Sequence, residues 1–373
     1  MQPYTLDRKF LPQDVIDEFD SIIWTERYYG DSEVELVVPA TSEMIRKLPE
    51  GIFLALPESD EVMILETATI EEGKLKLVGM SLLPWMNNRF IRTSPLHEVT
   101  SWNVQPGTPG WVLWAIIYNF CMNSPYTNGS IDMGIPNPQN LIIPGLRLID
   151  YDKTGADITV AIPFGPVYDE MRKIAVTYEV GMQIILEYAN DTSYSLGYRN
   201  YRGLNRTSNQ TDRPTVRFSP QMDSLTNIKE LRSIAALKTL VYAFASNNPG
   251  KLATTPGIAS RSEQAYTGFD LRAQMIFPSD IDPTLLTGDK TKALVDLLNS
   301  RAKDELNASP FIKAVDGEIV PTNQFQYGVH YNLGDVIEVQ GNSEIVQTSR
   351  VTEYIRAQDE AGERAYPTVA MLD

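Results

Sequence analysis

Residues 326–368 are dense in β-branched and aromatic side chains. Such side chains lose rotamer freedom in a helix and pack well on a pleated sheet, so helix is a poor interpretation of this stretch. The pattern predicts a strand over 327–331, a turn at Leu333-Gly334-Asp335, a strand over 336–339, and a long hairpin with strands over 344–356 and 363–369. We therefore expect the chain to close with a small β-barrel.

Residues 1–95 show the same kind of pattern. A Gly30-Asp31 turn separates two runs that favour strands, and a Glu71-Glu72-Gly73 turn separates two more. Between these hairpins, residues 41–48 predict one short helix, with Thr41 or Ser42 as its N-cap. The predicted strands cover 21–29, 32–39, 51–56, 61–70 and 74–78. Five strands and one helix suffice for a small barrel, so we expect a second barrel here, similar to the first in pattern but not in sequence.

The middle of the chain mixes predicted helices and strands. Thr108 and Pro109 favour the start of a buried helix over 110–122, and apolar residues at helical spacing predict another over 167–178. A third helix is predicted over 289–307, before the closing strands. Two hairpins are also predicted, one from strands 146–151 and 157–162, and one from strands 195–206 and 214–218.

Together these elements predict an α+β fold that is mainly β. Two small β-barrels at the chain ends flank two mixed α+β domains. The predicted ranges are 1–95 and 266–373 for the barrels, and 96–190 and 191–265 for the mixed domains. A chain of 373 residues is too long for one core, which agrees with several domains.

The formal net charge of -16 limits the partners of this chain. So acidic a surface repels phosphate backbones and anionic lipids, although it suits a duct through which DNA slides without sticking. Cys121 is the only cysteine, which excludes an internal disulfide and any multi-cysteine metal site. The N terminus has no secretory signal, so we expect synthesis in a cytoplasm. The most apolar run, 111–122, is much shorter than the roughly 20 residues that span a membrane as a helix.

Few residues in the sequence could carry chemistry. His97 in a loop and His330 in a predicted strand are its two histidines, and neither belongs to a paired metal motif. No nucleophile elbow and no Gly-rich phosphate loop is present. Asp150 and Asp152 resemble the start of a calcium loop, but its twelfth position holds Ala161 instead of a bidentate Glu. A hairpin turn is the preferred interpretation, and a metal near these two aspartates stays open. We expect no enzyme activity and no cofactor.

Acidic pairs are a further candidate for chemistry. Glu71 with Glu72, and Asp280 with Asp282, could serve a glycosidase that uses two carboxyl groups. With 48 acidic residues in the chain, such pairs also arise by chance in solvated loops.

A cluster of Tyr and Arg residues contrasts with the acidic background. Alternation along a strand places Tyr198 and Arg202 on one face with Asn200, and Arg199 and Tyr201 on the other. Tyr and Arg are enriched at interfaces, so Tyr198, Arg199, Tyr201 and Arg202 are predicted interface residues. The alternative is an exposed strand whose Tyr and Arg side chains pack on each other.

The order of barrel, mixed domain, mixed domain and closing barrel resembles the minor tail proteins of actinobacterial siphophages. These Gp37-like proteins are similar to the hubs at the tip of long phage tails. The short phrases that carry the likeness lie in residues 61–81, 218–227 and 268–339, where the last range includes Tyr327-Gly328 and Leu333-Gly334-Asp335.

The resemblance implies a homotrimer in which two similar barrels per chain alternate around a ring, so that three copies match a hexameric tail tube. It also implies partners among the tail tube, distal tail and other tail-tip proteins, and a place in the virion. The acidic charge would line a lumen that does not hold DNA during ejection. Larger relatives append a peptidase or carbohydrate module after the hub. This chain ends at Asp373, directly after its last predicted barrel, so a bare structural hub is expected, with no family site residues to carry over.

Three hypotheses follow from the sequence. The first is the structural hub, without a stable nucleic-acid complex or a membrane span. The second is a receptor-binding or cell-wall glycan-binding tip protein that uses the face around Tyr198 to Arg202. The third is a cell-wall hydrolase that uses Glu71, Glu72, Asp280 or Asp282.

Overall fold

The computed structural model describes residues 1–91, 101–122, 142–190, 193–245, 256–262, 266–278, 290–309, 312–320, 324–343 and 345–372. Contacts within the chain define two compact units. The first comprises Met1–Thr226, Glu318–Gln340 and Thr348–Asp373, and the second comprises Asn227–Gly317 and Gly341–Gln347. The predicted division into four domains is finer than this one, and it stays a prediction.

The described strands, in chain order, are β1 (Tyr4–Leu6), β2 (Pro12–Val15), β3 (Ser21–Arg27), β4 (Glu33–Pro39), β5 (Phe53–Ala55), β6 (Val62–Glu71), β7 (Lys74–Ser81), β8 (Phe90–Ile91), β9 (Ser101–Asn103), β10 (Leu146–Asp150), β11 (Ala161–Pro163), β12 (Gly165–Pro166), β13 (Gly181–Asn190), β14 (Ser193–Tyr201), β15 (Arg217–Phe218), β16 (Leu225–Ser233), β17 (Leu240–Ala243), β18 (Gly257–Ser260), β19 (Ala273–Ile276), β20 (Ile312–Ile319), β21 (Val336–Gln340), β22 (Val346–Asp359) and β23 (Gly362–Met371). The α-helices are α1 (Ser42–Lys47), α2 (Leu82–Trp85), α3 (Pro109–Ile117), α4 (Val167–Tyr178) and α5 (Lys290–Asn307). The chain is therefore a mainly β, mixed α+β protein, as predicted.

One large sheet contains strands from both ends of the chain. Its order is β15-β21-β22-β3-β4-β7-β6-β5-β1-β2, and β23 also pairs with β22. The two ends meet where β22 pairs antiparallel with β3, with Arg356 opposite Trp24. Among the described strands this order is open, and its pairings do not close into a ring. The predicted hairpins of β3 with β4, β6 with β7, and β22 with β23 are confirmed.

The strands of the first 81 residues surround a hydrophobic core of their own. In β7, Leu75 and Leu77 point into this core while Lys74 and Lys76 are exposed, as expected for a strand with one buried face. Helix α1 adds Met44 to the core. The Thr41 side chain accepts a hydrogen bond from the Met44 amide at 3.2 Å, which confirms the predicted helix and selects Thr41 as its N-cap.

A second core of the first unit packs around helices α3 and α4. Thr108 accepts a hydrogen bond from the Trp111 amide at 3.3 Å, and Pro109 lies in the first turn, so the predicted start of α3 is confirmed. A π-helical turn, Tyr118–Met122, continues the helix. Helix α4 has the predicted bounds and ends at Glu179, whose φ of 56° is left-handed. No helix among the described residues is long and apolar enough to cross a membrane.

The predicted hairpin of residues 146–151 and 157–162 is wrong. Strand β10 pairs parallel with β14, which places Leu146 opposite Leu196. Strand β11, which contains Ile162, instead pairs antiparallel with β9. Local sequence showed two apolar runs around a turn, but their partners lie tens of residues away in the chain.

Two further predictions near the cluster of Tyr and Arg are corrected. The predicted hairpin of strands 195–206 and 214–218 does not form, because β14 pairs with β13 on one side and β10 on the other, and β15 pairs parallel with β21. One backbone hydrogen bond, from the Val216 amide to the Arg206 carbonyl at 2.9 Å, joins the two segments. Residues 327–331 form turns in place of a strand, with Gly328 at a φ of +81°. His330 therefore lies in a turn, where its Nδ1 accepts a hydrogen bond from the Gln326 amide at 3.0 Å.

The second unit contains a smaller sheet in the order β18-β17-β19. Helix α5 confirms the predicted third helix and buries Leu294, Leu298, Ala302 and Leu306 with residues of β17. Leu297 on the same helix is only partly buried. Strand β16 pairs with β20.

Candidate functional site

The predicted interface residues lie at the end of β14, beside an open cleft. The cleft has a volume of about 400 Å³, and its lining includes Arg199, Tyr201 and Arg202 together with Tyr327, Asn332 and Leu333. Tyr198 is fully buried in the core of the first unit, so a surface built on this cluster would rest on the other three residues. Whether they form an interface stays a prediction.

The Arg199 guanidinium is held in one orientation by a neighbouring strand. Its Nε and Nη2 atoms donate hydrogen bonds of 3.1 and 2.8 Å to Oε1 of Gln183 on β13. The guanidinium also lies 5.8 Å from the centre of the Tyr201 ring. The carboxylate of Asp60 is 3.8 Å from Nη2, and the Arg199 side chain remains 38% exposed. The charge of Arg199 is therefore fixed in position but only weakly neutralised.

Arg202 takes part in a network that connects β14 to the start of α3. Its Nε donates a hydrogen bond of 3.0 Å to Oδ2 of the buried Asp152. The Asp152 amide donates to Oδ1 of Asn200 at 2.8 Å, and Asn200 Nδ2 donates to the Gly110 carbonyl at 2.9 Å. Thr108 Oγ1 donates to the Asp152 carbonyl at 3.0 Å. The network explains why Asn200 is buried, since all these polar groups have partners.

The structure assigns Asp152 a role in this network. Its Oδ1 accepts hydrogen bonds from the amide and hydroxyl of Thr154, at 3.0 and 2.6 Å, and its Oδ2 faces Arg202. Asp150 is exposed and pairs with Lys153 at 3.3 Å. Over the described part of the chain, no three acidic, His or Cys side chains are grouped as a metal site would require. A metal near Asp150 and Asp152 stays untested.

Asp335 lines the other side of the cleft and accepts hydrogen bonds from three donors of the protein. Its Oδ1 accepts a hydrogen bond from the Leu204 amide at 2.7 Å, and its Oδ2 accepts from Arg206 Nε at 2.8 Å and from the Asn332 amide at 3.0 Å. The turn at 333–335 is thereby attached to the segment that follows β14.

Behind the cleft lies a buried pair of carboxyl groups that the sequence analysis missed. Glu61 and Glu26 are only 2% and 4% exposed. Arg356 pairs with Glu26 at 3.0 Å, and the Ser59 hydroxyl donates a short hydrogen bond to the same carboxylate. Neither carboxyl oxygen of Glu61 has a hydrogen-bond partner among the described residues, although Ser32 and Gln183 lie close enough to favour its charged form. Burial and the adjacent charge of Glu26 raise the pKa of Glu61 to about 8.

Aromatic rings cover this acidic pair. Tyr327 stacks on Tyr354 with ring centres 3.7 Å apart, and the Arg356 guanidinium lies 4.7 Å from the centre of the Tyr354 ring. Burial raises the pKa of Tyr327 and of Tyr201 above their usual range. Two neighbouring carboxyl groups are typical of glycosidases, but these two have almost no surface that a substrate could contact. The one sequence signal was an acidic residue, Glu61, at the head of the apolar run 62–65.

Of the other acidic candidates, the two that the structure describes do not line the cleft. Glu71 and Glu72 are exposed at the turn between β6 and β7, where Glu72 has a left-handed φ of 51°. His97, Asp280 and Asp282 lie outside the described residues.

The fold is that of known phage tail proteins. The 43 kDa tail protein of prophage MuSo2 from Shewanella oneidensis superposes with a TM-score of 0.53 at 10% identity, over 99% of this chain and 98% of that one. Prophage tail protein gp18 from Listeria monocytogenes EGD-e superposes with a TM-score of 0.53 at 10% identity, over 100% of this chain and 95% of that one. A tail protein from Neisseria meningitidis MC58 superposes with a TM-score of 0.51 at 11% identity, over 100% of this chain and 97% of that one. No curated protein sequence matches significantly.

The sequence itself matches one family over nearly its full length. The model of the Siphovirus ReqiPepy6 Gp37-like proteins covers residues 3–369, so the chain belongs to this family of siphovirus tail proteins. The resemblance noted in the sequence is thereby confirmed. Membership indicates a structural component of the phage tail, which is a part of the virion.

Proposed function

We propose that the chain is the hub of the tail tip of a long-tailed phage, where three copies form a ring that closes the hexameric tail tube and bounds the DNA channel. One observation carries the proposal. The pairing of β3 with β22 brings the β-rich regions of both chain ends into one sheet. Two such regions per chain become six in a trimer, which is the number a six-fold tube requires.

Each of the two regions has buried residues of its own. Strands β1 to β7 surround the core that includes Trp24 and Met44. Near β15 and β21, the buried Phe218 packs edge-on against Tyr331 with ring centres 5.6 Å apart. We propose that these regions are the two barrels predicted from the sequence, and that the ring places them alternately.

Free strand edges support assembly. Strand β23 pairs with β22, and no other described strand pairs with it. All four residues of β2, at one end of the sheet order, are exposed. An unpaired edge is a template for a strand of another chain, so neighbouring copies can join there.

The acidic composition supports the channel. A lumen built from chains with a net charge of -16 each repels the DNA phosphates, so DNA passes without binding stably. The proposed partners are the tail tube, distal tail and other tail-tip proteins, and the proposed location is the tail tip of a virion assembled in the host cytoplasm.

Negative-stain images of the purified full-length protein test the proposal. We expect three-fold rings with a central hole. Thr368→Lys with Ala370→Lys adds charges at exposed positions of β23 and is expected to abolish the rings. Thr69→Lys, exposed on β6, is the matched control and should leave them intact. Compact particles without a hole, at every concentration tested, would contradict the hub.

A second candidate function is a receptor-binding or glycan-binding tip protein. The observation that favours it is the cleft beside Arg199, Tyr201 and Arg202, which combines aromatic rings with partly exposed cations. The hydrolase hypothesis is not proposed, because the described acidic candidates lie on an exposed turn.

A further inference from the structure

We propose that the cleft at the end of β14 binds an acidic sugar, whose carboxylate or phosphate group is held by Arg199 and Arg202. This inference rests on the second candidate function, which it makes specific, and it is independent of the ring.

Arg199 is prepared to bind an anion. The side chain of Gln183 accepts hydrogen bonds from Nε and Nη2 of Arg199, and no described residue accepts one from Nη1 of Arg199. Its nearest carboxylate, on Asp60, is 3.8 Å away and belongs to a side chain that is 71% exposed. A guanidinium with fixed orientation and unused donors matches the two-oxygen geometry of carboxylate and phosphate groups.

Arg202 lies on the same cleft, three residues further along the chain. Asp152 engages its Nε, and the described residues offer no acceptor to its two Nη groups. The side chain is 33% exposed. Arg199 and Arg202 are both held through Nε. Each keeps N–H donors that the described residues do not use.

The charge of Arg202 is balanced by the buried carboxylate of Asp152 at 3.0 Å, so among the described lining residues Arg199 supplies the weakly compensated positive charge. Both oxygens of Asp335 are bonded to donors of the protein, including Arg206 at 2.8 Å. Asp150 is paired with Lys153 and lies at the exposed rim. Acceptors in the cleft are thus occupied while donors remain, which favours an anionic ligand even in a chain of net negative charge.

The rest of the lining fits a sugar ring. Tyr201 and Tyr327 contribute phenol rings with an apolar face and a polar edge, and the side-chain amide of Asn332 suits hydroxyl groups. A volume of about 400 Å³ lies within the range of roughly 300–1,000 Å³ that small-molecule pockets occupy. The lining therefore favours a small acidic carbohydrate over an extended polymer backbone.

Calorimetric titration of the full-length protein tests the site with three probes. Glucuronate and glucose 6-phosphate are expected to bind with a Kd on the order of 1 mM, which is reasonable for a monosaccharide. Glucose, which lacks the anionic group, should bind at least tenfold more weakly. Preference for one of the two acids would identify the anionic group that the site selects.

Variants connect binding to the cleft. Arg199→Gln should abolish the advantage of glucuronate over glucose, and Arg199→Lys, which keeps the charge but loses the fork, should retain part of it. Arg213→Gln is the matched control, because Arg213 is 39% exposed and pairs with Asp212 away from the cleft.

Two results would overturn the assignment. They are equal binding of glucuronate and glucose, and unchanged binding by Arg199→Gln. If a neutral N-acetylglucosamine oligomer binds while neither acid does, the acidic-sugar site is wrong but the second candidate function survives.

Discussion

Arg27 on β3 lies directly opposite Glu353 on β22, and its Nε donates a hydrogen bond of 2.7 Å to Oε1 of Glu353. The same guanidinium bonds Glu33 at 2.5 Å and the Asp31 carbonyl at 2.7 Å. This contact joins residues 326 positions apart. It fixes the register in which the two ends of the chain share one sheet.

Glu353→Gln is expected to lower the stability of the first unit by about 0.5–1 kcal/mol, because Arg27 and Glu353 are partly screened by solvent. All five tryptophans lie at positions up to 114, so tryptophan fluorescence during urea unfolding reports on this unit. Glu360→Gln, in the exposed turn after β22, is the control and should change the midpoint little. An equal effect of the two variants would contradict a role for the contact.

Glu61 should make stability depend on pH. Its folded-state pKa of about 8 is above the ordinary value of 4.5, so the folded protein retains a proton that the unfolded chain loses. The stability that the protonated Glu61 contributes to the folded state is fully present below about pH 4.5 and is lost as the pH rises to about 8. Glu61→Gln should remove this dependence on pH. The stability difference between the variant and the wild type should therefore shift in favour of the variant by a few kcal/mol from pH 5 to pH 9.

The control for this prediction is Glu66→Gln, an exposed position on β6, the strand that begins directly after Glu61. Urea midpoints at pH 5, 7 and 9 should give the control the same pH profile as the wild type. A Glu61→Gln profile parallel to the wild type would show that the buried carboxyl does not titrate in this window.

Gly334 is required by both its backbone and its neighbour. Its φ is +90°, and a Cβ at this position would lie 2.2 Å from Cε2 of the buried Tyr28. Gly334→Ala is therefore expected to cost about 3–5 kcal/mol, from backbone strain and overpacking together. Gly73→Ala separates backbone strain from overpacking, because Gly73 has a φ of +78° and an added Cβ would have no atom within 4 Å. This variant should lose about 1–2 kcal/mol of stability. Equal urea midpoints would exclude the clash with Tyr28.

Asn200 should be the most sensitive residue of the cleft network. Asn200→Ala leaves the Asp152 amide and the Gly110 carbonyl without their partner in a buried site. The expected cost is about 2–4 kcal/mol in the urea unfolding of the first unit. Asn88→Ala, which removes one exposed hydrogen bond to the Trp85 carbonyl, should cost far less. A small effect of Asn200→Ala would mean that water replaces the side chain.

Sequence predicted the elements that depend on local signals. Helix α4 follows from apolar residues at helical spacing, α3 from Thr108 and Pro109, and the β22 and β23 hairpin from β-branched runs around a turn. Pairing between distant segments has no local signal. The parallel pairing of β10 with β14 and the antiparallel pairing of β3 with β22 were therefore missed.

The site was predicted in part. Arg199, Tyr201 and Arg202 were found because their side chains are unusual in an acidic chain, but alternation could not reveal that Tyr198 is covered by the core. Residues 327–331 alternate like a strand, yet Gly328 takes a left-handed turn, and Tyr327 stacks on Tyr354 and meets Tyr331 edge-on. The pair of Glu26 and Glu61 depends on tertiary contacts alone, since these residues are distant in sequence.

The mass of the purified full-length protein in solution, measured by light scattering across a concentration series, tests the proposed hub most directly. We expect a particle of three times the chain mass of 41.9 kDa. A mass of one chain that persists at the highest concentration, or an assembly whose copy number is not a multiple of three, would contradict it.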